Sequence, residues 1–189
     1  MAFTDTQKKS LKAKLNHRHV KSRQSNGTTL NYVEGWHAIA EANRIFGFDC
    51  WDRQTLSPHC QWSAQQHGQT ACFYWTKVRI TVRAGATVTI REGIGTGFGS
   101  SAQQDVAHDM ALKAAETDDT KRALATFGNP FGLALYDREQ SHVTKPRMVR
   151  PPGQAPVTVQ GPLKLIHADG LAVTWATASY STSAGRRRG

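Results

Sequence analysis

The chain has 189 residues, 39% hydrophobic and 20% charged, with a formal net charge of +10. That length suits one domain with a tail, and the composition excludes wholesale disorder. No apolar run approaches the roughly 18–20 residues that a membrane span needs.

The first 24 residues hold seven lysines and arginines against Asp5, a net of +6, and predict a basic amphipathic helix through Leu11 and Leu15. The charged start (Lys8, Lys9, Lys12, Lys14) is not followed by an apolar stretch, so no signal peptide is expected. Ser25-Asn26-Gly27 is a turn signal before a strand-like run from Thr28 to Val33. Gly35 ends that run. Apolar residues at 36, 39, 40, 45 and 46 then predict a helix that Gly47 stops. Residues 51–62 fit neither period well, and Pro58 argues against a central strand. The three cysteines (Cys50, Cys60, Cys72) are too few and odd in number for a disulfide scaffold. A reducing, cytoplasmic compartment is expected.

Val78, Ile80 and Val82 alternate with Lys77, Arg79, Thr81 and Arg83; after Ala84-Gly85, Val88 and Ile90 alternate with Thr87, Thr89 and Arg91. Two alternating runs across a glycine turn predict an antiparallel hairpin. Its aliphatic residues are expected on one face, against the core. Lys77, Arg79, Arg83 and Arg91 are expected together on the other, as a phosphate-facing surface. Gly93, Gly95, Gly97 and Gly99 then read as a flexible connection, leading into an alanine-rich helix over about 102–127. Val106, Met110 and Ala114 form its expected packing stripe, and Gly128-Asn129-Pro130 its stop. Residues 25–141 carry a net −2, whereas 142–189 hold seven basic residues against Asp169, again +6. The proline-rich stretch from 146 onward reads as a linker and basic tail, ending in Arg186-Arg187-Arg188, which leaves 1–145 as the domain. A neutral body between two basic arms points to a polyanion partner, most often nucleic acid.

Catalytic signals are weak. The glycine cluster breaks the dinucleotide fingerprint at Ser100, and no Gly-Lys-Ser/Thr triplet makes a phosphate loop. His59, Cys60, His67 and Cys72 lack the paired spacing of a zinc site. His108 and Asp109 are neighbours on a predicted helix, where adjacent side chains point apart. No cofactor, metal or enzymatic activity is expected.

Several short motifs occur in one colinear order. Ser22-Arg23 precedes a turn. Tyr32-Val33-Glu34-Gly35 follows, with a helix ending Ile45-Phe46-Gly47-Phe48, then Trp51. The order continues through Arg79-Ile80-Thr81-Val82-Arg83-Ala84-Gly85 and Gly95-Thr96-Gly97. It closes with Thr117-Asp118-Asp119-Thr120-Lys121-Arg122-Ala123-Leu124 and Phe127-Gly128-Asn129. Over about residues 10–140 this resembles the DNA-binding domain of the Rad52 family of single-strand annealing proteins.

The resemblance implies an α+β fold. A curved antiparallel β-sheet, a meander of hairpins, packs on a long helix, and copies assemble side by side into a homo-oligomeric ring. It also implies ATP-independent binding of single-stranded DNA and annealing of complementary strands in recombination and repair. Arg23, Tyr32, Lys121 and Arg122 match inner-groove positions, and Arg83 matches a basic hairpin position of a second, outer DNA site. Ala125 stands where a further arginine is frequent, and Gln103-Gln104 where a lysine is. A bacterial or phage type is expected, nucleoid-associated, with a recombinase or single-strand binding protein as its protein partner. Two other functions compete. One is a small metal-dependent nuclease using Glu34, Asp52 or Glu92; the other is a coating module that binds strands without pairing them.

Overall fold

A capping box opens the first helix, α1 (Asp5–Lys12): the Thr4 hydroxyl accepts from the Gln7 amide while the Gln7 side chain accepts from the Thr4 amide. The computed structural model describes residues 3–25, 27–146, 165–166 and 172–173. They fall into two units, 1–146 and 147–189. In the second, β7 (Leu165–Ile166) pairs antiparallel with β8 (Ala172–Val173). The terminal arginines lie outside the described residues.

The first unit is α+β, with antiparallel sheets. The α1 helix is shorter than expected: Leu11 packs from it, but Leu15 lies beyond its end. Leu15 is buried instead by a parallel bridge to Val143, its amide donating to the His142 carbonyl at 2.9 Å. A two-stranded hairpin follows, β1 (Val20–Ser25) against β2 (Thr28–Val33), and then α2 (Gly35–Phe46). The ambiguous stretch resolves into β3 (Trp51–Thr55) and β4 (His59–Gln66), with Pro58 between them. Both pair with different halves of β5 (Gln69–Ala84), whose other side pairs along its length with β6 (Thr87–Ser101). The third helix, α3 (Gln104–Ala125, 22 residues), lies across β5 and β6.

The glycine stretch is thus strand, and not a connection. A Cβ built on Gly97 or Gly99 would overlap the Ala111 or Ala107 carbonyl, and on Gly93 it would come within 2.5 Å of the Asp119 carbonyl. The glycines let helix and strand backbones touch. Their partners on α3 are Ala107, Ala111, Ala115, Asp119 and Ala123, all fully buried and four residues apart. The expected stripe of Val106, Met110 and Ala114 is the exposed face of α3. Alanine is the packing residue because main-chain contact leaves no room for a larger one.

The hairpin faces also differ from expectation. Ala84 pairs with Thr87 across a two-residue turn, so Arg83 stands opposite Val88 and Thr81 opposite Ile90. Val78, Ile80 and Val82 point to α3 and are fully buried. Val88, Ile90 and Ile94 share the outer face with Lys77, Arg79 and Arg83 and are exposed. Arg91 lies on the opposite side, its guanidinium 5.6 Å from the Phe127 ring centre. The main core joins Leu11, α2 (Ala38, Ala42, Ile45, Phe46), those three β5 residues, Ala123, Leu124 and Phe131.

Candidate nucleic-acid interface

Four of the expected site residues come together at one flank of α3. Tyr32, Lys121 and Arg122 line a cavity of about 220 Å³ with Asn31, Asp118 and Tyr136. The β1–β2 hairpin brings Arg23 to the same ring. Its guanidinium lies 5.9 Å from the Tyr32 centroid, and the Lys121 ammonium lies 5.8 Å from it, both within cation–π range. Three separate chain segments therefore deliver an aromatic ring and three cations to one place. Adjacent positions on a helix diverge by about 100°. Lys121 and Arg122 nevertheless share the cavity, since the turn at 129–136 walls one side and β2 the other.

The electrostatics are poised for an anion. Arg122 is held by Asp118, its Nε donating at 2.8 Å, and the same carboxylate oxygen accepts the Thr96 amide at 3.3 Å. Among the described residues Lys121 has no such anchor. Partial burial, with Arg23 and Arg122 nearby, pushes its ammonium below the usual lysine range, while Asp118 opposes the shift. An anion placed beside it would relieve the repulsion that this cation feels.

The hairpin cations stand elsewhere, on the outer face of β5. Their surroundings are less basic than expected, because Glu92 sits opposite Arg79 and binds it at 2.8 Å and Lys77 at 2.5 Å. Those two cations hold the Glu92 carboxyl below the usual range. Arg83 pairs with Asp52 on β3. Arg53 is also used internally, donating to Glu116 and Thr120 on α3.

Of the acids weighed for a nuclease, Asp52 and Glu92 are thus bound to cations, and Glu34 accepts from the Trp36 indole at 3.1 Å. Among the described residues no three His, Cys, Asp or Glu side chains converge as metal ligands would. Nor is any described helix long and apolar enough to cross a membrane.

Two residues beside the cavity, Lys21 and Tyr136, lie outside the sequence motifs, and Asp118 lies inside one without a role assigned to it. Lys21 stands directly opposite Tyr32, two residues from Arg23 on the same strand; its period-2 relation to Arg23 is the available signal. Asp118 is four residues before Arg122, the spacing of a helical ion pair. Tyr136 lies beyond the last motif, and nothing local marks it.

The sequence model of the Rad52/22 double-strand break repair proteins matches residues 4–152. The chain belongs to that family. It is similar to the DNA repair and recombination protein RAD52 of Eremothecium gossypii, 35% identical over 141 residues, covering 74% of this chain and 32% of that protein. RAD52 of Saccharomyces cerevisiae is 35% identical over 131 residues, 68% of this chain and 27% of its own length. The DNA repair and recombination protein rad22 of Schizosaccharomyces pombe is 33% identical over 133 residues, 68% and 28%. The chain therefore spans about a third or less of each of these Rad52/22 relatives. They are fungal, and they lend no support to a bacterial or phage type.

Proposed function

We propose that this chain binds single-stranded DNA without ATP and anneals complementary strands in recombination and repair, as a homo-oligomeric ring. The observation that carries the reading is the meeting of Tyr32, Lys121 and Arg122 around one cavity, with Arg23 over the Tyr32 ring. Family membership and the roles of the relatives in DNA repair and recombination support it.

The chemistry needs no nucleophile. Two complementary strands repel through their phosphates, so a protein that neutralises the backbone and leaves the bases free lowers the barrier to pairing. Lys121, Arg122 and Arg23 supply the phosphate contacts, and Lys21 extends them. Lys77, Arg79 and Arg83 form a second, weaker surface, since DNA must displace Glu92 and Asp52 to reach them. Exposed ion pairs of this kind are worth about 0–1 kcal/mol and exchange readily. The ring is favoured by the sheet itself. Among the described residues the far edge of β6 has no strand partner, and its outer face exposes Val88, Ile90, Ile94 and Phe98, both of which a neighbouring copy would cover. The domain is 1–145, with the basic stretch after it adding charge, and a recombinase or single-strand binding protein is the natural partner in the nucleoid-associated cytoplasm.

The test is a strand-annealing assay with purified protein and no ATP, over a salt series. Accelerated pairing that weakens with salt is expected. Binding without acceleration would leave a coating module, and divalent-ion-dependent cleavage lost with Glu34, Asp52 or Glu92 would indicate a nuclease.

A further inference from the structure

Tyr136 is an exposed aromatic outside the core clusters of the described residues. Its residue is 70% exposed, and its phenol makes no hydrogen bond among the described residues. Its backbone, by contrast, is fixed. Gly132 adopts a left-handed φ of +104°, a turn follows over Leu133–Leu135, and the Tyr136 amide donates to the Leu133 carbonyl at 3.1 Å. Ala134 and Leu135 pack inward against Leu15 and Val33. The turn is anchored on one side and holds the tyrosine out on the other.

The place where it is held matters. Tyr136 lines the cavity that contains Tyr32 and Lys121, and also a second cavity with Lys77, Glu92 and Ile94. Arg122 is the other residue common to both. Tyr136 and Arg122 thus form the saddle between the two hollows. A strand whose phosphate is held by Arg122 would have this ring beside it.

We infer that Tyr136 is a base-stacking platform: the flat ring receives one nucleobase of the bound strand while Arg122 beside it holds the backbone. This rests on the single-strand reading above and adds a subsite to it. Every base has a π-face, so the subsite is indifferent to sequence, as annealing requires, and ring burial supplies affinity that salt does not screen. Removing such a ring weakens binding by roughly five- to a hundredfold. It leaves the salt slope unchanged, because no phosphate contact is lost.

The experiment compares wild type, Tyr136→Phe and Tyr136→Ala in the full chain, binding a thirty-nucleotide oligo-dT and an abasic phosphodiester chain of equal length. Tyr136→Ala is expected to lose about tenfold on oligo-dT and nothing on the abasic chain, with Tyr136→Phe like wild type on both. Light scattering is expected to show one assembly state for all three. Equal losses on the two ligands, or no loss on either, would overturn the inference while leaving the groove in place. A changed assembly state with Tyr136→Ala would make the ring a contact between copies and overturn it as well. Wild type that binds neither ligand would overturn the single-strand reading itself.

Discussion

The carbonyl oxygen of Ala111 occupies the space that a side chain on Gly97 would need. Both groups belong to main chain, one in α3 and one in β6, so neither yields by rotating a bond. Gly97→Ala is expected to cost about 3 kcal/mol, the upper part of the overpacking range, and to lower Tm by roughly 6–12 °C. Ala111→Gly should not rescue it, because the clash is with the backbone. Thermal melts of the single and double variants check this; a rescued double variant would mean the helix is free to shift outward.

The double variant Lys121→Ala plus Arg122→Ala should weaken single-strand binding and abolish annealing while keeping its assembly state. Losing two phosphate contacts should flatten the log–log salt dependence by about 1.4. Lys77→Ala plus Arg79→Ala should weaken binding much less, since Glu92 already occupies both cations, whereas of the other pair only Arg122 is ion-paired among the described residues. Fluorescence anisotropy at several salt concentrations separates the two. Equal losses would mean that both faces share the strand.

Lys121 should also set an upper pH limit for binding. Burial lowers its pKa, so it loses its charge at a pH where other lysines keep theirs. Affinity is expected to fall as pH rises through that lowered value, and Lys121→Arg should remove the fall because arginine stays charged. Titrations of both proteins between neutral and alkaline pH provide the comparison.

Much of this site is legible in the sequence. Arg23, Tyr32, Lys121 and Arg122 lie in motifs whose order along the chain carries the family resemblance, and α2 and the β5–β6 hairpin follow from periodicity. The faces of that hairpin are not legible. Alternation says which residues of one strand share a side, but only the turn says which sides of two strands coincide. Hydrophobicity alone would put Val88 and Ile90 inward, because aliphatic residues ordinarily are. Here glycine takes the inner positions of β6, and contact between backbones replaces contact between side chains. The same contact hides the packing stripe of α3, where alanine is a positive requirement and Val106 and Met110 face outward.

One carboxyl inside this seam should leave a signature in stability. Asp119 is fully buried, accepting from Thr76 Oγ1 at 2.5 Å and from Thr120 Oγ1 at 3.1 Å. Burial raises its pKa above the ordinary aspartate value near 3.8, more than those hydrogen bonds lower it. Between 3.8 and the raised value the folded state binds more protons than the unfolded state, so this group's contribution to stability declines as pH climbs. Glu41 and Glu92, both lowered, act in the opposite sense. The difference between wild type and Asp119→Asn therefore isolates the effect. Urea unfolding at several acidic pH values should show a gap that changes with pH across that window. Thr76→Val should cost about 2 kcal/mol by stranding the carboxyl.

The two-residue turn at Gly85 and Ala86 has a consequence for how this hairpin can change over generations. An insertion of a single residue that shifts the pairing by one position would swing Ile94 and Phe98 beneath α3 and turn Gly93 through Gly99 to solvent. Isoleucine cannot occupy a gap cut to the thickness of bare main chain, so such a lengthening is lethal to the fold unless a bulge absorbs it. Growth by two residues preserves the alternation. Changes that move the register of this hairpin should therefore come in steps of two residues, a pattern imposed by one helix lying against four glycines.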